Sequence, residues 1–306
     1  MATLIACQEG SVTLPQPPPM EPPPATTTIP PPINRGVPFS FQHTRGILVF
    51  PGTQASEGEI LALDAQLRSL GWPRPMYHVC AETSFWQAQG IPWPSGPTPF
   101  DGTENITNLK RFLDTTASLR SQVLLDVYCT VRDARREVVP DERFFRWART
   151  VGDIASEYDH VAIHIANEYW HGGSRLRTRS SMQTAHDQIR SGGFVGLVSS
   201  DDNFNPGDVR FDSLGGILQW PDAHPWRNPD PTPSQIEDMV RKNGTLVISE
   251  PTAYGDRPGG CCTTNRNQIL KYMRACEDIS GCVWMYHSVC GLGWPVQCTI
   301  DWIPGG

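Results

Sequence analysis

Two glutamates in this 306-residue chain directly follow apolar runs of the kind that form buried strands. Glu168 comes after the run VAIHIA, with Asn167 directly before it, and Glu250 comes after the run TLVI and Ser249. Two carboxyl groups facing one cleft can hydrolyse a glycosidic bond, because one protonates the leaving oxygen while the other attacks the anomeric carbon. Their mutual repulsion separates their pKa values, so that one is an acid and the other an anion. We interpret Glu168 as the acid/base and Glu250 as the nucleophile.

The chain that must position these glutamates alternates, from His43 onward, between short apolar runs and amphipathic stretches, which is typical of βα units. This pattern predicts an α/β fold, a (β/α)8 TIM barrel in which Glu168 and Glu250 follow strands four and seven. A doubly wound open sheet is the alternative, but no glycine-rich nucleotide-binding motif follows a strand. The eight predicted strands lie at residues 46–52, 75–81, 122–128, 160–168, 194–200, 215–220, 245–250 and 281–288.

In this register the sequence resembles the retaining glycoside hydrolases of clan A, the cellulase- and mannanase-like TIM barrels. The resemblance is carried by Asn167 and Glu168 at the end of strand four and by Glu250 at the end of strand seven, and it covers about residues 44–300. It implies that Asn167 holds the 2-hydroxyl group of the substrate and that the substrate is a polysaccharide. Further positions that resemble the family pattern are Asp126, His224 and Trp284.

Two positions depart from the family pattern. The arginine that many members carry at the end of strand two is not evident, and His78 or Glu82 occupies that neighbourhood. The tyrosine commonly found after strand six is also absent from QWPDAHPW, which offers Trp220 and Trp226 instead. The alternative function is therefore a barrel that binds glycans without cleaving them, as a structural or adhesive component of a larger assembly such as a phage particle.

Tryptophans provide a candidate binding surface for sugars. The chain has 10 of them, and an indole can either stack on a pyranose ring or fill a core. We predict Trp170, Trp220 and Trp284, which lie at or near predicted strand ends, as substrate contacts. Packing in the core is the alternative for each of them, and Trp147, within an amphipathic helix, is predicted to be a core residue.

The N-terminal part of the chain is rich in proline. Residues 15–38 contain eleven prolines and no helical or alternating apolar pattern, which predicts an extended, polyproline-like arm. A disordered linker is one interpretation of such a segment. We interpret residues 1–43 as an anchor that binds a protein partner or a neighbouring subunit, and residues 44–306 as the barrel.

Charge and hydropathy exclude several classes of partner and location. The formal net charge is −7 and there is no Lys/Arg cluster, so we expect neither nucleic acid nor a membrane as a partner. There is no apolar run of membrane-spanning length, and the first residues lack the basic leader of a signal peptide. A polysaccharide-cleaving site without a secretion signal suggests a virion-borne depolymerase at the virion surface. The alternative is a cytoplasmic location, or an extracellular one reached by a non-standard route.

The remaining chemistry-bearing residues predict neither a metal site nor a cofactor. Six of the nine cysteines follow residue 260, without C-x-x-C spacing or paired histidines, so a zinc site is not expected and at least one disulfide is. The segment from Asp201 to Asp212 has Pro206 where a calcium loop needs glycine, and it is predicted to be an Asx-rich turn. His164 lies on the same face of its strand as Glu168 and is predicted to be a hydrogen-bonded barrel residue.

Overall fold

The computed structural model describes residues 35–42, 45–49, 52–81, 102–128, 140–167, 169, 175–204, 216–225, 233–248, 274 and 276–286. Most of the predicted arm, residues 1–34, lies outside this range, and so do Glu168, Trp170 and Glu250.

The described strands form one parallel barrel. Every neighbouring pair is parallel, in the order β5-β4-β3-β2-β1-β9-β8-β7-β6, and only Ser200 separates β5 from β6. These two segments are therefore halves of one strand that changes partner at Ser200, so the nine segments make eight barrel strands, as predicted. Their bounds are β1 Arg45–Leu48, β2 Pro75–Cys80, β3 Gln122–Tyr128, β4 Val161–Ala166, β5 Val198–Ser199, β6 Asp201–Phe204, β7 Asp222–Pro225, β8 Leu246–Ile248 and β9 Cys282–Tyr286.

Helices lie between the strands and cover the outside of the barrel. Their bounds are α1 Glu57–Ser69, α2 Thr103–Ser118, α3 Asp141–Ala155, α4 Arg179–Ser191 and α5 Pro233–Asn243. Helix α1 begins with a capping box, in which the Ser56 hydroxyl accepts from the backbone N–H of Glu59 and the Glu59 carboxylate accepts from the backbone N–H of Ser56. Among the described residues, none of the helices combines the length and the apolar character needed to cross a bilayer.

The fifth and sixth predicted strands are displaced by several residues in the structure. The fifth strand occupies 198–204 rather than 194–200, so that Asp201–Phe204, expected within an Asx-rich turn, is strand β6. The sixth strand begins at Asp222, whereas residues 216–220 form a turn. The apolar run there contains the buried residues Ile217 and Leu218. A short apolar run predicts that its residues are buried, but it does not distinguish a strand from a turn. Here the apolar residues are buried outside a strand.

The side chains of the strands alternate between two environments. On β4, Ile163 and Ile165 belong to the large core between sheet and helices, while Ala162 belongs to a smaller cluster inside the barrel. The interior cluster is apolar and includes Met76, Leu124, Ala162, Trp220, Val247, Val283 and Met285. The helix-side core includes Trp147, which is fully buried and whose indole N–H donates to the backbone oxygen of Val127 at 3.0 Å. The prediction of Trp147 as a core residue is confirmed.

Residues 35–42 pack at the end of the barrel where the strands begin. The backbone N–H of Phe39 donates to Asp159 O at 2.8 Å, and that of Ser40 donates to Gln122 Oε1 at 2.9 Å. The ring of Phe41 lies 5.2 Å from that of Trp220. Both phenylalanines pack against the interior apolar cluster. These residues, which the sequence analysis assigns to the arm, therefore cover one end of the barrel.

A disulfide joins Cys276 to Cys282, the first residue of β9, with a Cα–Cα distance of 5.2 Å. The sequence analysis predicts a disulfide in this part of the chain. The bond fixes the entry of the chain into the last barrel strand.

Candidate functional site

The fourth strand of the barrel ends directly before the Asn-Glu pair. Strand β4 ends at Ala166, and Ser200 holds this end, because its hydroxyl donates to Ala166 O at 2.7 Å and accepts from Ala166 N at 3.2 Å. The backbone N–H of Asn167 then donates to Tyr128 O, at the end of β3, at 3.0 Å. The backbone that leads into Glu168 is thus fixed by the strands on both sides.

The seventh strand of the barrel, β8, ends at Ile248, two residues before Glu250. Its register with β9 pairs Ile248 with Trp284, and Val247 lies in the interior cluster. In a parallel barrel all strands end at the same rim, where the active sites of such enzymes are built. In the sequence, Glu168 and Glu250 each come two positions after the last residue of a strand that ends at this rim.

Asn167 carries a polar group suited to a ligand. The residue is only 7% exposed, and within the described part of the chain its side-chain Oδ1 has no hydrogen-bond partner. A buried carbonyl oxygen without a partner costs free energy, which a donated hydrogen bond recovers. A sugar hydroxyl could donate that bond, as the family resemblance implies for this residue.

Asp126 lies inside the barrel in a network with histidines from both neighbouring strands. Its Oδ1 lies 3.0 Å from His78 Nε2 and 3.1 Å from His164 Nδ1. His164 Nε2 lies 2.9 Å from Asp222 Oδ2, which is ion-pair distance, although the two atoms are not aligned for a hydrogen bond. Asp126, His78 and His164 are 0% exposed. Asp126 is predicted from the sequence to contact the substrate. In the structure it forms hydrogen bonds with His78 and His164. Its role toward the substrate stays a prediction.

Burial and charge act in opposite directions on this network. Burial alone would lower the pKa of His164, but the nearby charges of Asp222 and Asp126 and the hydrogen bond to Asp126 outweigh it and raise the pKa of His164 to about 10. Burial alone would likewise raise the pKa of Asp126, but the two neighbouring histidines hold it below its usual range. The two carboxylates therefore favour the protonated form of His164, and its contacts agree with its prediction as a hydrogen-bonded barrel residue.

The predicted tryptophan contacts lie in two different environments. Trp220 is 1% exposed and stacks on His164, with ring centroids 5.9 Å apart and planes 11° apart. Trp284 is 3% exposed and belongs, with Cys282 and Tyr286, to the core on the helix side of β9, while Val283 and Met285 face the interior. The substrate roles of both tryptophans stay predictions, and their burial does not favour them.

The other predicted contacts are only partly described. His224 lies in β7, where its backbone pairs in register with Asn203 of β6. Trp170 lies outside the described residues.

Sequence reasoning missed the connection between His78, Asp126, His164 and Asp222. A signal for it is present, since Asp126 in VLLDVY and His164 in VAIHIA are polar residues within otherwise apolar strand runs. A charged side chain in a strand that is buried on both faces must be paired. The identity of the partners requires the three-dimensional register.

Solved structures of glycoside hydrolases share this architecture. A family 5 mannosidase from Rhizomucor miehei, in complex with mannosyl-fructose, is 12% identical with a TM-score of 0.58, over 85% of this chain and 92% of its own. An endo-1,4-β-D-mannanase from Thermotoga petrophila is 13% identical with a TM-score of 0.53, over 79% of this chain and 87% of its own. The chain has the fold of these hydrolase barrels. The predicted resemblance to clan A is thereby confirmed at the level of the fold. No model of a known protein family matches the sequence, and neither does any curated protein.

Proposed function

We propose that the chain is a retaining glycosidase that cleaves a polysaccharide. The observation that carries this proposal is the closed parallel barrel, whose fourth and seventh strands end two residues before Glu168 and Glu250 in the sequence. The shared fold with a mannosidase and a mannanase supports it.

The proposed mechanism has two steps. Glu168 protonates the glycosidic oxygen while the Glu250 carboxylate attacks the anomeric carbon, which breaks the C–O bond to the leaving sugar and forms a covalent glycosyl-enzyme. Glu168, now a carboxylate, removes a proton from a water molecule that attacks the same carbon and releases Glu250. This mechanism needs the two carboxyl groups about 5–5.5 Å apart. It requires no cofactor.

Asn167 is the proposed substrate-binding residue beside this pair. Its Oδ1, which is buried and without a partner among the described residues, accepts a hydrogen bond from the 2-hydroxyl of the sugar at the reacting centre in this proposal. A hydrogen bond at the 2-hydroxyl strengthens as the ring approaches the oxocarbenium-like transition state, so it contributes to the rate as well as to binding.

The proposal also includes the location and the protein partner that the sequence predicts. We propose a virion surface as the place of action and residues 1–43 as the segment that binds a protein partner or neighbouring subunit. Residues 35–42 have their described contacts within the barrel unit, so a partner would bind the preceding residues of this segment.

The experiment that tests the activity measures the release of reducing ends from a panel of β-linked mannans and glucans and of bacterial surface polysaccharides. Glu168→Gln and Glu250→Gln should each lower the rate by at least about 10²- to 10⁴-fold while the protein stays folded. Glu237→Gln, at an exposed position of α5, is the matched control and should keep the wild-type rate.

The roles of the two glutamates are separated by rescue of the alanine variants with azide. In Glu250→Ala the azide takes the place of the nucleophile and gives a glycosyl azide of inverted configuration. In Glu168→Ala it attacks the glycosyl-enzyme and gives the anomer of retained configuration.

If the wild type binds glycans but cleaves none of the polysaccharides, the result would instead support the alternative, a non-catalytic glycan-binding component of a larger assembly.

A further inference from the structure

Three side chains on adjacent strands place atoms that can bind a metal close to one another inside the barrel. His78 on β2, Asp126 on β3 and His164 on β4 each place one nitrogen or oxygen atom within 4.8 Å of the other two. The distances from Asp126 Oδ1 are 3.0 Å to His78 Nε2 and 3.1 Å to His164 Nδ1. Because Asp126 and His164 are register partners in a parallel ladder, their spacing is fixed by the backbone.

These distances suit a shared metal ion as well as hydrogen bonds. Donor atoms that bind one zinc ion at about 2.0–2.2 Å in a tetrahedral site lie about 3.3–3.6 Å apart. The two separations from Asp126 Oδ1, 3.0 and 3.1 Å, differ from this range by a few tenths of an ångström, and the His78 and His164 ligand nitrogens lie within 4.8 Å of each other. Two imidazoles and a carboxylate are also a ligand set that zinc accepts.

The surroundings of the cluster provide a second argument. Asp222 Oδ2 lies 2.9 Å from Nε2 of His164, the ring nitrogen that faces away from Asp126. Metal-bound histidines commonly have a carboxylate beside their other ring nitrogen, which orients the ring. Asp222 occupies that position at ion-pair distance, without the alignment of a hydrogen bond. Asp126 Oδ2 is buried and has no hydrogen-bond partner within the described part of the chain. A bound cation would satisfy this oxygen too.

We propose that His78, Asp126 and His164 bind one zinc ion in the barrel interior, with Asp222 orienting His164. The charges of Asp126 and Asp222 together then balance the divalent cation. Such a site connects three consecutive strands, and its test needs no substrate.

The test uses the full chain, purified without a metal-affinity tag, stripped with a chelator and titrated with Zn²⁺. We expect one equivalent of zinc per chain, by elemental analysis and calorimetry, and a higher melting temperature when it is bound. Co²⁺ in place of Zn²⁺ should give visible d–d bands without sulfur charge-transfer bands, because the ligands are nitrogen and oxygen.

Substitutions assign the ligands. Asp126→Asn preserves the shape of the side chain and should abolish binding, while Asp222→Asn should weaken it about 10- to 100-fold, as removal of a carboxylate behind a ligand does. His160→Gln is the control, because this buried histidine contacts Thr116 outside the cluster, and it should bind one equivalent.

Absence of a stoichiometric ion in the wild type, sulfur bands in the cobalt spectrum or unchanged zinc binding by Asp126→Asn would each overturn the proposal. If Asp126→Asn does not fold, the cobalt spectrum of the wild type and the affinity of Asp222→Asn decide. None of these readouts depends on a substrate, so a failure of the glycosidase proposal would leave this test intact.

Discussion

Replacing His160 with glutamine should remove a loss of stability that the protein undergoes in mild acid. His160 precedes β4 and is 0% exposed; its Nε2 lies 2.9 Å from Thr116 Oγ1 on α2, and its Nδ1 faces Arg35 O at 3.4 Å. Burial lowers the pKa of His160 from its usual 6.5 to about 4, although the Arg35 carbonyl and the charge of Asp114 act in the opposite direction. The folded protein therefore keeps this imidazole neutral where the unfolded chain protonates it.

The sign and size of the effect follow from this difference. Above about pH 6.5 neither state holds the proton, and the full stability is present. As the pH falls from 6.5 toward 4, only the unfolded state gains the proton, so the free energy of unfolding decreases. From the difference between the two pKa values, the free energy of unfolding decreases by about 3.4 kcal/mol once the pH is below both, and by about 2 kcal/mol at about pH 5.

Urea unfolding of the wild type and of His160→Gln between about pH 8 and pH 5 measures this effect. The free energy of unfolding of the wild type should fall by about 2 kcal/mol more than that of the variant over this range. His186→Gln, at a partly buried position of α4, is the matched control for the exchange of histidine for glutamine. Parallel pH profiles of the wild type and His160→Gln would refute the reasoning, because they would show that His160 does not carry the titration.

Further predictions concern helix packing and capping. Gly152→Ala should destabilise the protein by about 1–3 kcal/mol, because a Cβ there would lie 2.3 Å from the backbone oxygen of Ile189 on the neighbouring helix. Gly58→Ala in α1, where a Cβ meets nothing within 4 Å, should instead stabilise it by about 0.4–1 kcal/mol, and thermal unfolding of both variants compares them. Ser56→Ala should cost about 1 kcal/mol through loss of the cap. The Ser56 hydrogen bonds hold the pKa of Glu59 below its usual range. The cap therefore adds to the free energy of unfolding at a pH above the usual pKa of a glutamate, and this contribution is lost as the pH falls through the lowered pKa of Glu59. Unfolding curves of Ser56→Ala and the wild type that differ equally at about pH 7 and pH 3 would contradict this.

The sequence predicts best the strands whose apolar run coincides with the strand itself. Strand β3 occupies 122–128 as predicted, because a barrel strand is buried on both faces and its residues read as one apolar run. Strand β6, Asp201–Phe204, has the sequence DDNF and carries no such signal. Its conformation depends on pairing with β7, a contact between parts of the chain that one run of residues does not encode.

The candidate site was predictable only in its positions along the chain. The Asn-Glu pair and Glu250 follow from counting strands, because each strand of a parallel barrel ends at one rim. The partners of Asp126 do not, since His164 and His78 are 38 and 48 positions away and meet it only through the register of three strands. The residue type of Trp284 likewise does not show on which face of β9 its side chain lies, and the structure places it on the helix side.

The contacts of residues 35–42 impose an order on folding during synthesis. This segment leaves the ribosome before every barrel strand, yet its partners Gln122, Asp159 and Trp220 are translated much later. Phe39 and Phe41 therefore cannot reach their final environment until translation has passed residue 220. We expect these two apolar rings to stay exposed to solvent until then, which is the condition under which chaperones bind and aggregation competes with folding. Closure of this end of the barrel is therefore a late step, and slower translation before residue 220 prolongs the exposure.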